Sequence, residues 1–240
     1  MKQDLFEKFI GIYNQIDAYM RKDLGVEKYI EHSRLIRQMA EKNKIFAQYL
    51  NELLTFADLR NVLDHNPYRM QAHPMAEPHE YIVKRYEQIR NLLFDPPKAL
   101  SVAIKGSVIY STTLDANAIE IMQVMNDKLY THVPIMEDEK LVGIFSENVI
   151  LHYLVKNRDS LITSDTKIKE FKEFIPISKN RTEVFLFLPR NTLLTDVSSI
   201  FNAGLKNGKR IAVVYITETG KEDEKILGMI TPWDLPGASQ

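Results

Sequence analysis

Two stretches of this chain follow one plan. Lys140-Leu141-Val142-Gly143-Ile144-Phe145-Ser146 is answered by Lys225-Ile226-Leu227-Gly228-Met229-Ile230-Thr231, an apolar strand holding one glycine and followed by a hydroxyl three residues after it. Upstream, Thr113-Leu114 recurs as Thr192-Leu193, and Val133 keeps the same offset to Ala212. Each copy reads apolar strand, amphipathic helix, apolar strand, charged hairpin, apolar strand, helix start. The first copy predicts strands over Ser107–Tyr110, Thr131–Met136 and Leu141–Phe145, with helices over Leu114–Met125 and Asn148–Val155. The second predicts strands over Glu183–Leu188 and Arg210–Thr217, a helix carrying Val197, Ile200 and Phe201, and a charged, solvated hairpin over Glu218–Lys225. The joining segment is expected to be helical around Lys167–Phe174.

The second copy closes on Thr231-Pro232-Trp233-Asp234. Threonine as N-cap, proline at the first helical position and aspartate at the third read as a helix start. A hydroxyl and a carboxylate are thereby set side by side where free amides and the helix dipole favour an anion, and a carboxylate is a natural acceptor for two adjacent sugar hydroxyls. The plainer reading of the same residues is a capping box and nothing more.

Glycine, two apolar residues, serine or threonine, two variable residues and aspartate, behind an apolar strand, resemble the signature of cystathionine-beta-synthase (CBS) domains, which occur in tandem as the Bateman module. The second copy matches throughout (Gly228, Met229, Ile230, Thr231, Asp234); the first gives Val133-Pro134-Ile135 and Gly143, Ile144, Phe145, Ser146, but Val149 where the aspartate belongs. The resemblance covers the chain from Leu100 onward. It implies an α+β protein in which an N-terminal helical bundle precedes a tandem CBS pair of two β-α-β-β-α repeats. It also implies an adenosyl ligand between the repeats, with AMP, ADP, ATP and S-adenosylmethionine as candidates and no required cofactor. Carried over residue by residue, the site falls on Thr231 and Asp234, with Ile211, Ala212 and Val213 as apolar wall, Pro189, Arg190, Asn191 and Thr192 as backbone edge, and Arg190 and Arg210 as phosphate partners. Val149 cannot accept a hydroxyl hydrogen bond, so one competent site per chain is expected.

The first part of the chain reads as helical. Leu5, Phe6, Phe9, Ile10, Tyr13, Ile16 and Met20 fall at three- and four-residue steps before Gly25. Tyr29, Ile30, Leu35, Ile36 and Met39 mark a second helix, and Ile45, Phe46, Tyr49, Leu50, Leu53, Leu54 and Ala57 a third. Asn66–Pro78 is loop, and Pro78 opens a last helix with Tyr81, Ile82, Tyr86, Ile89, Leu92 and Leu93 inward, closed by Asp95-Pro96-Pro97. The expected domains are 1–96, a first CBS domain at 97–157, a connector at 158–182 and a second CBS domain at 183–240.

In Leu59-Arg60-Asn61-Val62-Leu63-Asp64-His65, arginine and histidine stand five residues apart. This resembles the motif of HEPN domains, helical units found in metal-independent ribonucleases and their inactive relatives. Histidine would work on the 2′-hydroxyl or leaving oxygen and arginine on the charge of the transition state. Five helical residues turn through about 500°, so the two converge only if the helix ends between them. His65 also fits a helix cap or a dimer contact.

With 45% apolar and 26% charged residues the composition is that of an ordinary soluble globular protein, and a formal net charge of −1 gives no global pull towards nucleic acid or membrane. Any RNA contact would be a local patch. The absence of cysteine removes disulfides, thiolate metal sites and cysteine nucleophiles, and no histidine–carboxylate spacing suggests a metal. No apolar run spans a bilayer and no signal peptide is seen, so a cytoplasmic protein is expected. Three functions stay open: a ligand-sensing regulator, a ribonuclease using Arg60 and His65 under the control of the C-terminal pair, and a structural dimer with neither site working. Both family resemblances imply a homodimer.

Overall fold

The computed structural model describes residues 5–64, 76–158 and 161–235. The chain divides into two compact units, Met1–Pro97 and Lys98–Gln240.

The first unit is helical: α1 (Leu5–Leu24), α2 (His32–Lys42), α3 (Lys44–Gln48), α4 (Leu50–Asp64) and α5 (Glu80–Phe94). In α1 the steps of three and four bring Phe9, Ile12, Ile16 and Met20 onto one buried face, against Leu35, Ile36 and Met39 of α2 and Val83, Tyr86 and Ile89 of α5. Phe9, Phe56 and Tyr86 form its aromatic centre, with ring centroids 6.4, 5.2 and 4.5 Å apart. The third predicted helix is two, separated at Tyr49; its start is fixed by Asn43, whose Oδ1 accepts from the Ile45 and Phe46 amides at 2.9 and 3.3 Å. The last helix begins after His79, whose Nδ1 accepts from the Tyr81 amide at 3.2 Å. That cap sets its phase so that Val83 is buried and Tyr81, expected inward, is 67% exposed. Tyr29, expected on the apolar face of the second helix, lies before α2 and is exposed.

The second unit contains β1 (Ile104–Lys105), α6 (Ala118–Lys128), β2 (His132–Glu137), β3 (Lys140–Ser146), α7 (Glu147–Lys156), β4 (Glu183–Pro189), α8 (Leu194–Ala203), β5 (Leu205–Lys206), β6 (Lys209–Thr217) and β7 (Gly228–Ile230). Strands β1, β7, β6 and β4 lie side by side, with β5 added on β6; β4 and β6 are parallel and the other pairs antiparallel. Strands β2 and β3 form a separate hairpin through Asp138 and Glu139, both at positive φ. N-terminal helices followed by a region of mixed strands and helices make the α+β class expected from the sequence.

The two copies differ at their first strand. In the second copy β4 runs seven residues along β6. Its counterpart over Ser107–Tyr110 does not form: Gly106–Val108 is a 3₁₀ turn, and only Thr112 reaches the hairpin, its amide donating to the Pro134 carbonyl at 2.9 Å and its carbonyl accepting from the Met136 amide at 2.8 Å. The predicted helix over Lys167–Phe174 is a single 3₁₀ turn, Ile168–Phe171, whose Ile168 and Phe171 plug the core beneath α6, α7 and β3.

Each copy is completed by the segment that precedes the other. Gly143 in β3 lies under the segment leading into the second copy: a Cβ there would sit 2.8 Å from the Ile175 carbonyl oxygen, which accepts from the Ile144 amide at 2.9 Å. Gly228 in β7 lies under the segment leading into the first, where a Cβ would meet Ala103 Cβ at 2.8 Å and Leu100 at 3.0 Å. The repeated glycine is thus the point where a crossing chain touches strand backbone, which no side chain would permit.

Candidate functional site

At the end of β7 the chain turns through Pro232–Asp234 as one 3₁₀ turn. The Thr231 amide and hydroxyl both donate to Asp234 Oδ2, each at 2.7 Å, and the Asp234 amide donates to the Thr231 carbonyl at 3.1 Å. The capping box is therefore formed. Both side chains remain half-buried, and among the described residues no donor reaches Asp234 Oδ1. A three-residue turn sums too few peptide dipoles to hold an anion, so only the carboxylate's capacity to accept from hydroxyls survives from the expected chemistry.

Strand register decides which expected site residues meet. Ile230 pairs with Val214, so Thr231 and Asp234 continue towards the Arg210 end of β6. Ala212 lies at that end and is half-buried, while Ile211 and Val213 are buried in the strand. Pro189, by contrast, pairs with Thr217, at the opposite end. Six residues at about 3.3 Å each separate Thr217 from Ile211, roughly 20 Å of strand. Pro189, Arg190, Asn191 and Thr192 consequently stand apart from Thr231 and Asp234 rather than forming the edge of one site with them. There Pro189 packs against Gly220 of the charged loop, and Arg190 Nη1 bonds Glu218 at 3.2 Å. That loop is more ordered than a plain solvated turn: the Glu224 carboxylate accepts from the Thr219 hydroxyl and amide at 2.5 and 2.7 Å, which holds its pKa at about 2.

In the first copy Ser146 Oγ accepts from the Val149 amide at 3.3 Å and caps α7, and Val149 is 3% exposed within the core. The position of the missing carboxylate is a packing position.

The residue-level reading missed a polar junction between the copies. Glu183, at the start of β4, is 2% exposed as a side chain. Its Oε2 meets His132 Nε2 at 2.8 Å and accepts from Asn148 Nδ2 at 3.2 Å, and its Oε1 is bonded by Arg210. Thr131 Oγ1 lies 2.8 Å from His132 Nδ1. Burial alone would raise the carboxyl's pKa; the donors from His132, Arg210 and Asn148 outweigh it and bring it down to about 2. Arg210, expected to face a phosphate, is thus held by Glu183. The signal available in the sequence was a lone carboxylate opening the run Val184-Phe185-Leu186-Phe187-Leu188, since a charge at the head of a buried strand must be paired.

In the helical unit the Arg60 guanidinium lies over the Tyr13 ring, 5.1 Å from its centroid, and Tyr13 stacks on His32 at 3.9 Å. His32 Nδ1 is bonded to Asp17 at 2.8 Å. His65, the proposed partner of Arg60, lies outside the described residues. Among the described residues no group of histidine, aspartate and glutamate could hold a metal ion, and no helix is long and apolar enough to cross a membrane.

Residues 107–156, in the second unit, match the family model of the CBS domain. None of the curated proteins matches the chain. Among solved structures, a hemolysin-like protein containing a CBS domain from Oenococcus oeni is similar at 17% identity, over 61% of this chain and 93% of that one, with a TM-score of 0.37. A Methanocaldococcus jannaschii protein described as a putative archaeal homologue of γ-AMPK is similar at 16% identity over 62% and 51%, TM-score 0.41. CBSX2, solved in complex with AMP, is similar at 15% identity over 58% and 92%, TM-score 0.40.

Proposed function

We propose that this protein is a ligand-sensing regulator whose two CBS-like copies, 97–157 and 183–240 joined by 158–182, bind an adenine nucleotide or related adenosyl compound. The observation that carries the reading is the Thr231–Asp234 pair: one carboxylate oxygen is fixed by the cap, and the other is left half-buried at the end of an apolar strand. A ribose presents two adjacent hydroxyls that such an oxygen can accept from, and Ala212 with the backbone of β6 offers the flat apolar side a purine needs. Occupancy would pass to the helical unit as a change in shape or stability, and a homodimer is the assembly the resemblance favours.

The test is calorimetric titration of AMP, ADP, ATP and S-adenosylmethionine into the native protein and Asp234→Ala. The expected result is one ligand per chain, weakened tenfold or more by the substitution. At a hundredfold excess over Kd that ligand should also stabilise the fold by about 2.7 kcal/mol. Absence of binding by every compound, with no ligand already carried through purification, refutes the reading and leaves the structural dimer.

The helical unit has a second, enzymatic reading as a HEPN-like ribonuclease using Arg60 and His65. Its support is the motif spacing, and the Arg60 guanidinium lies over the Tyr13 ring, 5.1 Å from its centroid. RNA that is never cut, or cut equally by His65→Ala, removes it.

A further inference from the structure

A concave groove of about 610 Å³ runs along α7, outside the residues of the Thr231–Asp234 site. Asn148, Val149, His152, Val155 and Lys156 form one wall, and Glu173, Phe174, Lys179, Asn180 and Arg181 the other. The volume lies within the range of roughly 300–1,000 Å³ typical of small-molecule sites.

The charges in this groove are unbalanced. Lys156 is paired with Glu173, and its ammonium also lies 5.6 Å from the centroid of the Phe174 ring. Lys179 and Arg181 face the same space, and among the described residues neither has a carboxylate at ion-pair distance. Three permanent cations thus meet one carboxylate, in a chain whose formal net charge is −1. Repulsion among like charges would scatter such residues on a convex solvated face; here they line a hollow floored by the buried Val149 and the half-buried Phe174, with Val155 exposed beside them. His152 and Asn180 add polar groups to the lining.

We infer that this groove binds a small phosphorylated compound, its phosphate between Lys179 and Arg181 and an apolar or aromatic portion on Phe174, Val149 and Val155. A guanidinium and an ammonium facing one dianion supply forked and point-charge recognition together, and the Lys156–Glu173 pair leaves the net field positive. A carboxylate ligand would satisfy only part of that charge. The floor distinguishes the ligand from free inorganic phosphate, which could not cover it. This site lies in the copy whose aspartate position is occupied by Val149, and it needs no carboxylate there.

The experiment is an NMR titration of the full chain with phenyl phosphate and, separately, inorganic phosphate, following the amides of Asn148–Lys156 and Glu173–Arg181. The variants are Lys179→Ala/Arg181→Ala and Asp234→Ala, both checked for native melting. Phenyl phosphate should saturate those amides with a Kd at or below about 1 mM, or 4 kcal/mol of binding. Inorganic phosphate should bind several-fold more weakly, the double substitution should weaken phenyl phosphate tenfold or more, and Asp234→Ala should change nothing. No saturation by about 10 mM, shifts spread over other basic surfaces, or equal binding by the double variant overturns the inference. A short RNA that shifts these amides where phenyl phosphate does not would overturn it in favour of a macromolecular partner. Because Asp234→Ala reports on the nucleotide site alone, the two readings fail separately.

Discussion

Replacing Glu183 by glutamine should unlock the junction between the two copies. The carboxylate is almost fully buried, and it gathers His132 and Asn148 from the first copy and Arg210 from the second. A carboxyl pKa brought from an ordinary 4.5 down to about 2 represents, at about 1.36 kcal/mol for each tenfold change in the acid constant, some 3 kcal/mol of differential stabilisation. Arg210 is 67% exposed, and solvent screens its share, so we expect Glu183→Gln to lose about 2 kcal/mol. Since the depressed group is a carboxylate, its contribution is complete above pH 4.5 and is lost as pH falls towards 2. Urea unfolding followed by circular dichroism at pH 7, with amide exchange in β4 and β6 as the local readout, measures the loss. The gap between wild type and variant should then close on acidification below pH 4.5. A variant as stable as wild type at pH 7, or a gap that persists unchanged at pH 2.5, would refute the argument. His132→Ala should be strongly non-additive with Glu183→Gln, because both remove the same contact.

In the helical unit, burial lowers the pKa of His32 below 6.5 despite the opposing bond to Asp17. The folded state therefore binds fewer protons than the unfolded one, and stability falls as pH drops below 6.5; His32→Leu should flatten that limb of the pH–stability curve. Gly143→Ala would drive a methyl against the Ile175 carbonyl and should cost about 1–3 kcal/mol in urea unfolding. Gly11→Ala is the control: nothing lies within 4 Å of the added carbon on α1, and helix propensity should give a gain of about 0.5–1 kcal/mol.

Much was legible in the sequence. The apolar spacing of α1 gave its buried face, because Phe9, Ile16 and Met20 fall on one stripe whatever they pack against. The repeat located β2, β3, β6 and the start of α7 after Ser146, since capping and alternation are local properties, whereas the helix expected after Thr231 is a single 3₁₀ turn, Pro232–Asp234. Local signals also misled: the apolar residues of Ser107–Tyr110 suit a strand, but only one residue, Thr112, finds a neighbouring hairpin to bond. Tyr81 has the spacing of a core residue, and the cap at His79 turned it outward.

The sequence by itself determined the two copies, their glycines and the Thr231–Asp234 cap, all of which depend on residues within a few positions of one another. Tertiary structure alone decided that Pro189–Thr192 stands at the far end of β6 from Asp234, because parallel register is a relation between strands that neither strand's own residues encode. It likewise decided that Arg210 answers Glu183, His132 and Asn148 across the two copies. Burial of a charge is a property of the assembled fold, and its partners are whatever residues packing brings within reach.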